Sequence, residues 1–298
     1  MSNRIKRKAI RFSLADSLMY FIVGAFSIIC LLPLLLILIV SFTDEMAIVM
    51  NGYQFIPERW SIAAYHSILH SGMTVFRSYL VSTFITVVGT VIAVTITYMT
   101  AFSLANKSVR YRNHLAFYFF FTMLFNAGIV PWFLMNRALG LYDNILALII
   151  PSLLFNPFNM FLVRNFILGV PEALMESAKM DGANEIIIAF KIYFPLCIPV
   201  IAVITLFYAL AYWNDWWNAI MLVSDSRLYP LQFFLFRLQS ELQMLRDLQM
   251  VTATATTRPP AESVKMATVI ITIGPIVLLY PFLQRYFIKG LVIGGVKG

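Results

Sequence analysis

The chain alternates between long apolar runs and shorter connectors that carry nearly all of its charge. Six stretches contain no Asp, Glu, Lys or Arg: Ser17–Thr43, Ser78–Asn106, Asn113–Asn136, Asn144–Val163, Ile192–Asn214 and Met266–Gln284. Each is near or above the roughly 20 residues that cross about 30 Å of hydrocarbon as a helix. Apolar residues surround each helix instead of forming one stripe, as lipid contact and burial in a bundle require. The pattern predicts an all-α polytopic membrane protein with six transmembrane helices. Two connectors are substantial, 44–77 and 224–265. The second opens with Leu231, Phe234, Leu235, Leu238, Leu242 and Leu245 at helical spacing, with Gln239, Glu241, Gln243 and Asp247 on the opposite face. This predicts an amphipathic helix, either a lid or docking element or one resting on the interface. Thr252–Thr257 and Pro259-Pro260 then read as loop.

Composition agrees. Of 298 residues, 60% are hydrophobic and 12% charged, against about 25% charged in a soluble domain. This excludes a soluble enzyme, a disordered chain and a disulfide scaffold. The net charge of +8 would suit nucleic acid in a soluble protein. Here the basic residues fall between apolar runs, so they report orientation instead. With the N-terminus inside, fourteen of the 22 Lys and Arg lie on inside segments and eight outside, five of those in the 224–265 loop. Both termini are therefore expected in the cytoplasm. A signal peptide is a poorer reading of the N-terminus, because the first apolar run is too long and no small-residue cleavage site follows. The expected organisation is a basic N-terminus (1–16), a first helix (17–43), an outer segment (44–77), a five-helix core (78–288) and a cytoplasmic tail (289–298).

The connector after Arg164 is then cytoplasmic, and it carries the densest signal. Pro171 suits a helix start. Glu172 and Glu176 stand four apart on one face. Asp181-Gly182 is a stop-and-turn signal, and a second helical run begins at Ala183. Pro195 and Pro199 lie at the start of the fifth apolar run. Small residues (Ala173, Ser177, Ala178, Gly182, Ala183) allow close backbone approach, and the carboxylates can pair with a partner's cations. Alternatively the segment is an interfacial connector whose acids face water.

Glu176-Ser177-Ala178, then Asp181-Gly182-Ala183, Phe190 and Pro195, resembles the Glu-Ala-Ala signature of bacterial ABC importer permeases, with Ser177 in place of the second Ala. Tyr212–Asn218, Tyr229-Pro-Leu-Gln232 and the run from Tyr286 to Gly298 resemble the carbohydrate-uptake branch, among permeases for complex oligosaccharides. The resemblance implies a type I ABC importer permease fold in a bacterial cell membrane. It implies a second permease subunit, two ATPase subunits, an extracytoplasmic solute-binding protein and a carbohydrate substrate, with no nucleic acid. It also implies that residues 171–184 form a coupling helix docked on an ATPase, with Glu172, Glu176, Ser177, Ala178, Asp181, Gly182 and Ala183 at the contact. No Gly-x-x-x-x-Gly-Lys-Ser/Thr motif occurs. No cofactor is therefore expected on this chain, and ATP and Mg²⁺ are expected on the ATPase.

The fifth run ends in a polar and aromatic cluster. Tyr208, Tyr212, Asn214, Asp215, Trp216 and Asn218 combine rings that stack on sugar C–H faces with groups that hydrogen-bond hydroxyls. They are the candidate substrate path; the alternative is an interfacial aromatic belt. Asn126, Asn156 and Asn159 read as helix–helix partners. Arg227, Arg237 and Arg246 would suit an acidic saccharide or simply face solvent. His66 and His70 have helical metal spacing without a third ligand, so no metal is expected. An ion-coupled secondary transporter predicts inverted repeats and more buried carboxylates; a membrane enzyme predicts clustered acids and histidines. The chain shows neither.

Overall fold

A computed structural model describes residues 14–70, 72–151, 153–252 and 261–275. The described residues divide into two compact units, one falling within 1–67 and 242–270 and the other within 68–241 and 271–298.

The first unit holds helix α1 (Leu14–Ser41), which continues through Pro33. Its segment Leu18–Ser41 is long and apolar enough to cross a membrane. The chain then turns sharply. Asp44 caps α2 (Glu45–Asn51) by accepting from Met46 N–H. Thr43 pairs with Trp60 in an isolated antiparallel bridge. Glu45 is buried, and its carboxylate accepts from Glu262 N (3.0 Å), Ser263 N (3.0 Å) and Ser263 Oγ (2.9 Å). These backbone groups open the helical stretch 261–275. The first N–H groups of a helix have no partner within it and carry positive partial charge, so a carboxylate there is stabilising. Beside it, Tyr53 and Arg246 donate to the two oxygens of Glu262, at 2.9 and 2.7 Å. Partial burial raises the Glu262 carboxyl, but these two bonds and the nearby Lys265 outweigh it and leave the group below its ordinary range.

The second unit follows α3 (Ala63–Leu69) and is organised by α4 (Gly72–Ala105). Within α4, Met73–Ala105 is also long and apolar enough to span. Later elements are α5 (Arg112–Leu124), α6 (Ile129–Ala138), α7 (Pro157–Leu168), α8 (Ala173–Met180), α9 (Glu185–Leu196), α10 (Ile198–Trp213), α11 (Trp217–Leu222) and α12 (Leu231–Thr252). α4 packs mainly against α10 and α7 around Tyr98, Met160, Val163, Ile188, Ile204 and Tyr208. Two contacts fix α10 antiparallel to α4. Thr97 bonds the Tyr208 hydroxyl at 2.7 Å, and Gly89 lies against the Tyr212 ring.

Three of the six predicted spans are broken. The third bends by 120° between α5 and α6. At the break Gly128 adopts φ +86°, and Asn126 Oδ1 accepts its N–H. The fourth, 144–163, is not one helix. Asn144 caps a single 3-10 turn, Ile145–Leu148, and α7 begins only at Pro157. Pro151 and Pro157 each remove an N–H and push the preceding residue out of the helical region. The fifth bends by 85° at Cys197, between Pro195 and Pro199, after a π-helical stretch Ile188–Tyr193. The amphipathic run forms α12 as expected. The predicted sixth span, Met266–Gln284, is helical as far as residue 275, in a helix that starts at 261. Its remainder, the loop residues 253–260 and both terminal segments lie outside the described residues.

Candidate functional site

The elbow following α7 is built from local signals. Glu172 stands at the N-cap of α8, so Pro171 precedes the helix instead of lying in its first turn, and the Glu172 side chain makes no cap bond. That carboxylate pairs instead with the Lys107 ammonium, at the far end of α4. α8 ends in a Schellman motif. Ala183 N–H bonds Ala178 C=O (2.9 Å), and Gly182 N–H bonds Lys179 C=O (3.0 Å). Gly182 holds φ +80°, a left-handed conformation that costs residues with a Cβ. The second limb starts two residues later than the sequence reading placed it. Asn184 is its cap, accepting from Ile187 N–H at 2.8 Å. The local signal was available, since Asn followed by Glu is a helix-start pattern.

The predicted coupling residues divide by environment. Ala178 is buried in the chain's own core, and Ala183 packs partly against it. Glu172, Glu176, Ser177, Asp181 and Gly182 are exposed. Glu172 is engaged by Lys107, whereas no ion pair or side-chain hydrogen bond engages Glu176 or Asp181 among the described residues. Exposed apolar side chains lie near them along the chain: Met180 is 89% exposed and Ile186 68%. The elbow therefore presents two unpaired carboxylates among exposed apolar groups.

The candidate path residues also divide. Tyr208, Tyr212 and Asn218 are buried, and all three serve backbone. The Tyr208 hydroxyl accepts from Asn156 N (3.0 Å), the Tyr212 hydroxyl donates to Ile149 O (2.9 Å), and Asn218 Nδ2 donates to Pro151 O (3.1 Å). Every one of those backbone groups lies in the irregular stretch between residue 148 and α7. Asp215, 9% exposed, accepts from Trp217 N and Asn218 N through Oδ1. Its Oδ2 and the Asn218 Oδ1 are buried without a hydrogen-bond partner among the described residues. Asn214 and Trp216 reach the surface. Trp216 stacks on Phe236 of α12 (centroids 5.5 Å apart), and Asn214 accepts from Gln232 at 3.1 Å. Sequence reasoning did not connect Gln232 and Phe236 to this cluster.

The three arginines considered for an acidic saccharide all have carboxylate partners within the chain. Arg227 pairs with Asp225, Arg237 with Glu241 and the Tyr229 hydroxyl, and Arg246 with Glu262. The bonds from Arg227 hold the Asp225 carboxyl below its ordinary range.

No family model matches the chain. It is 37% identical over 285 residues to the polygalacturonan/rhamnogalacturonan transport system permease protein YtcP of Bacillus subtilis, covering 96% of this chain and 99% of that protein. It is 39% identical over 277 residues to protein LplC of the same organism, covering 92% of each. In structure it matches a chain from the crystal structure of a bacterial ABC transporter involved in the import of the acidic polysaccharide alginate. The TM-score is 0.78 at 31% identity, over 94% of this chain and 100% of that one.

Proposed function

The chain belongs to the permease subunits of bacterial sugar ABC importers, and from that premise we propose that it forms half of an oligosaccharide path driven by separate ATPase subunits. The observation that carries this reading is the elbow. Its turn is fixed by Gly182, and it holds Glu176 and Asp181 unpaired beside exposed Met180 and Ile186. Carboxylates framed by apolar groups suit a basic groove on a partner. ATP-driven closure of two ATPases would carry the elbow as a nearly rigid body and tip the bundle between inward-open and outward-open states. Kinship does not favour an ion-coupled secondary transporter.

In this reading the chain crosses the cell membrane six times with both termini inside. The crossings are α1, α4, the bent pair α5–α6, the interrupted stretch ending in α7, the bent pair α9–α10, and the sixth uncharged run from Met266. A second permease completes the path, and an extracytoplasmic solute-binding protein delivers the cargo. Trp216 with Phe236, and Asn214 with Gln232, offer a stacking face and amides for a sugar at one end of α10. The free acceptor capacity of Asp215 and Asn218 lies beside them in sequence. YtcP and the alginate transporter are both described with acidic polysaccharides, so uronic-acid oligosaccharides are the first cargo to test.

The test is co-purification. ATPase subunits should accompany the wild-type chain, and Glu176→Lys should release them while the chain stays folded. Retention of the ATPases by Glu176→Lys, or transport in vesicles that lack any ATPase, would overturn the reading.

A further inference from the structure

The elbow is tied to the end of α4 at both limbs. On the first limb, Glu172 pairs with Lys107, and both side chains are about half exposed. Exposed ion pairs of this kind contribute little. On the second limb, Asn106 Nδ2 donates to Glu185 Oε2 at 3.1 Å, and the Asn106 Oδ1 accepts from Ser108 N at 3.0 Å. Asn106 is buried and Glu185 about half exposed, and a hydrogen bond from a buried amide to a charged group is stronger than one between neutral groups. Glu185 also takes the Lys179 ammonium of α8, at 2.8 Å. One carboxylate thus joins α4, α8 and α9. Higher on the same limb, the Tyr98 hydroxyl of α4 donates to Ala189 O.

The packing beside these contacts is incomplete. A half-open cavity of about 170 Å³ lies there, lined by Asn106, Lys107, Ile167, Val170, Glu172 and Tyr193. The first limb rests partly over space, so the polar ties at its ends add to the packing of Ala178 and Ala183 in fixing where the elbow sits relative to α4.

We propose that Asn106 is a positioning residue that makes the elbow and α4 move as one lever, with Glu185 as its partner. The proposal rests on the reading of the elbow as the ATPase contact and adds the route by which its motion enters the bundle. α4 is the helix against which α7 and α10 pack, so a displacement delivered at Asn106 reaches the core of the unit directly.

The experiment is a distance measurement in the assembled complex. Spin labels are placed at Ser103→Cys and Ala173→Cys, both exposed positions outside the residues assigned to the ATPase contact, in a Cys30→Ser background. Distances are read by pulsed EPR without nucleotide and after trapping with ATP and vanadate. The wild-type pair should give one narrow distribution, unchanged between the two states. Asn106→Asp sets like charges against each other and should broaden it, shifting the clamped-to-released ratio about tenfold or more. Adding Glu185→Gln exchanges donor and acceptor and should restore the narrow distribution and the ATP hydrolysis rate. Glu185→Ala removes the same bond from an exposed position and should broaden the distribution even if Asn106→Asp fails to fold. A narrow distribution in Glu185→Ala, or failure of the exchanged pair to restore it, overturns the proposal. Absence of ATPase subunits from the wild-type complex sinks the docking reading instead.

Discussion

Gly89→Ala tests the packing that sets α4 against α10. A Cβ at Gly89 would lie 2.5, 2.7 and 2.8 Å from three ring carbons of Tyr212. Carbon atoms rest at about 3.5–4.0 Å, so something must retreat by about 1 Å. The ring is fully buried and its hydroxyl is bound to Ile149 O, so it cannot swing aside cheaply. Overpacking of this kind costs about 1–3 kcal/mol. Loss of the hydroxyl bond would add about 0.5–1.5 kcal/mol. Against this, Ala is favoured over Gly inside a helix by about 1 kcal/mol. The clash wins, and the expected net loss is about 0.5–3.5 kcal/mol. The assay is SDS-driven unfolding in mixed micelles followed by tryptophan fluorescence, with Gly89→Ala made in the native and Tyr212→Leu backgrounds. In the native background the substitution should destabilise. With Leu at 212 the ring is gone, and only the helix preference remains, so the change should be neutral or stabilising. Equal effects in both backgrounds would refute the argument, because the cost would then not come from the ring.

Asp215→Ala removes the acceptor shared by Trp217 and Asn218 N–H, a loss of about 1 kcal/mol typical of a helix cap. Basal and cargo-stimulated ATP hydrolysis of the complex should fall by the same factor, and Asp215→Asn should retain both; selective loss of cargo stimulation would make Asp215 a cargo contact instead. The Glu262 carboxyl is held below its ordinary range by Tyr53 and Arg246, so its contribution is present above the ordinary carboxylate pKa and is lost as pH falls through the lowered value. Thermal midpoints of the wild type should drop more steeply than those of Glu262→Gln below about pH 4, and parallel slopes would contradict the assignment.

α1 and α4 were legible in the sequence because an uncharged run of the right length is itself the signal for a continuous span. The breaks were written in the same runs, in a different alphabet. Asn126-Ala-Gly128, Pro151, Asn156-Pro157 and the pair Pro195/Pro199 each mark an interruption through lost N–H donors or a required positive φ. A reading that counts charge passes over them. The elbow was legible because its information is local: Asp181-Gly182 specifies the turn within a few residues. Its attachment was not. Asn106 and Glu185 are 79 residues apart, and nothing near either names the other. The same holds for Trp216 with Phe236, where α12 supplies a partner from outside the fifth run.

The breaks also account for the polar cluster at the end of α10. A helix satisfies its own backbone, but the stretch between Leu148 and Pro157 cannot. Inside the packed chain each unpaired N–H or C=O is costly, so irregular backbone there needs partners from its neighbours. Tyr208, Tyr212 and Asn218 supply them, one each to Asn156, Ile149 and Pro151. These are the residue types that also suit a sugar, since both tasks call for a hydroxyl or amide carried on an otherwise apolar helix. Composition alone therefore cannot separate a residue that binds cargo from one that replaces a missing helical bond. Geometry does: a side chain already committed to a buried carbonyl has that much less to offer a ligand. By that criterion Tyr212 is a support for the fourth segment, and in the proposed path the exposed Trp216 has more to offer cargo than Asn214, whose Nδ2 and Oδ1 already bond Leu210 O and Gln232.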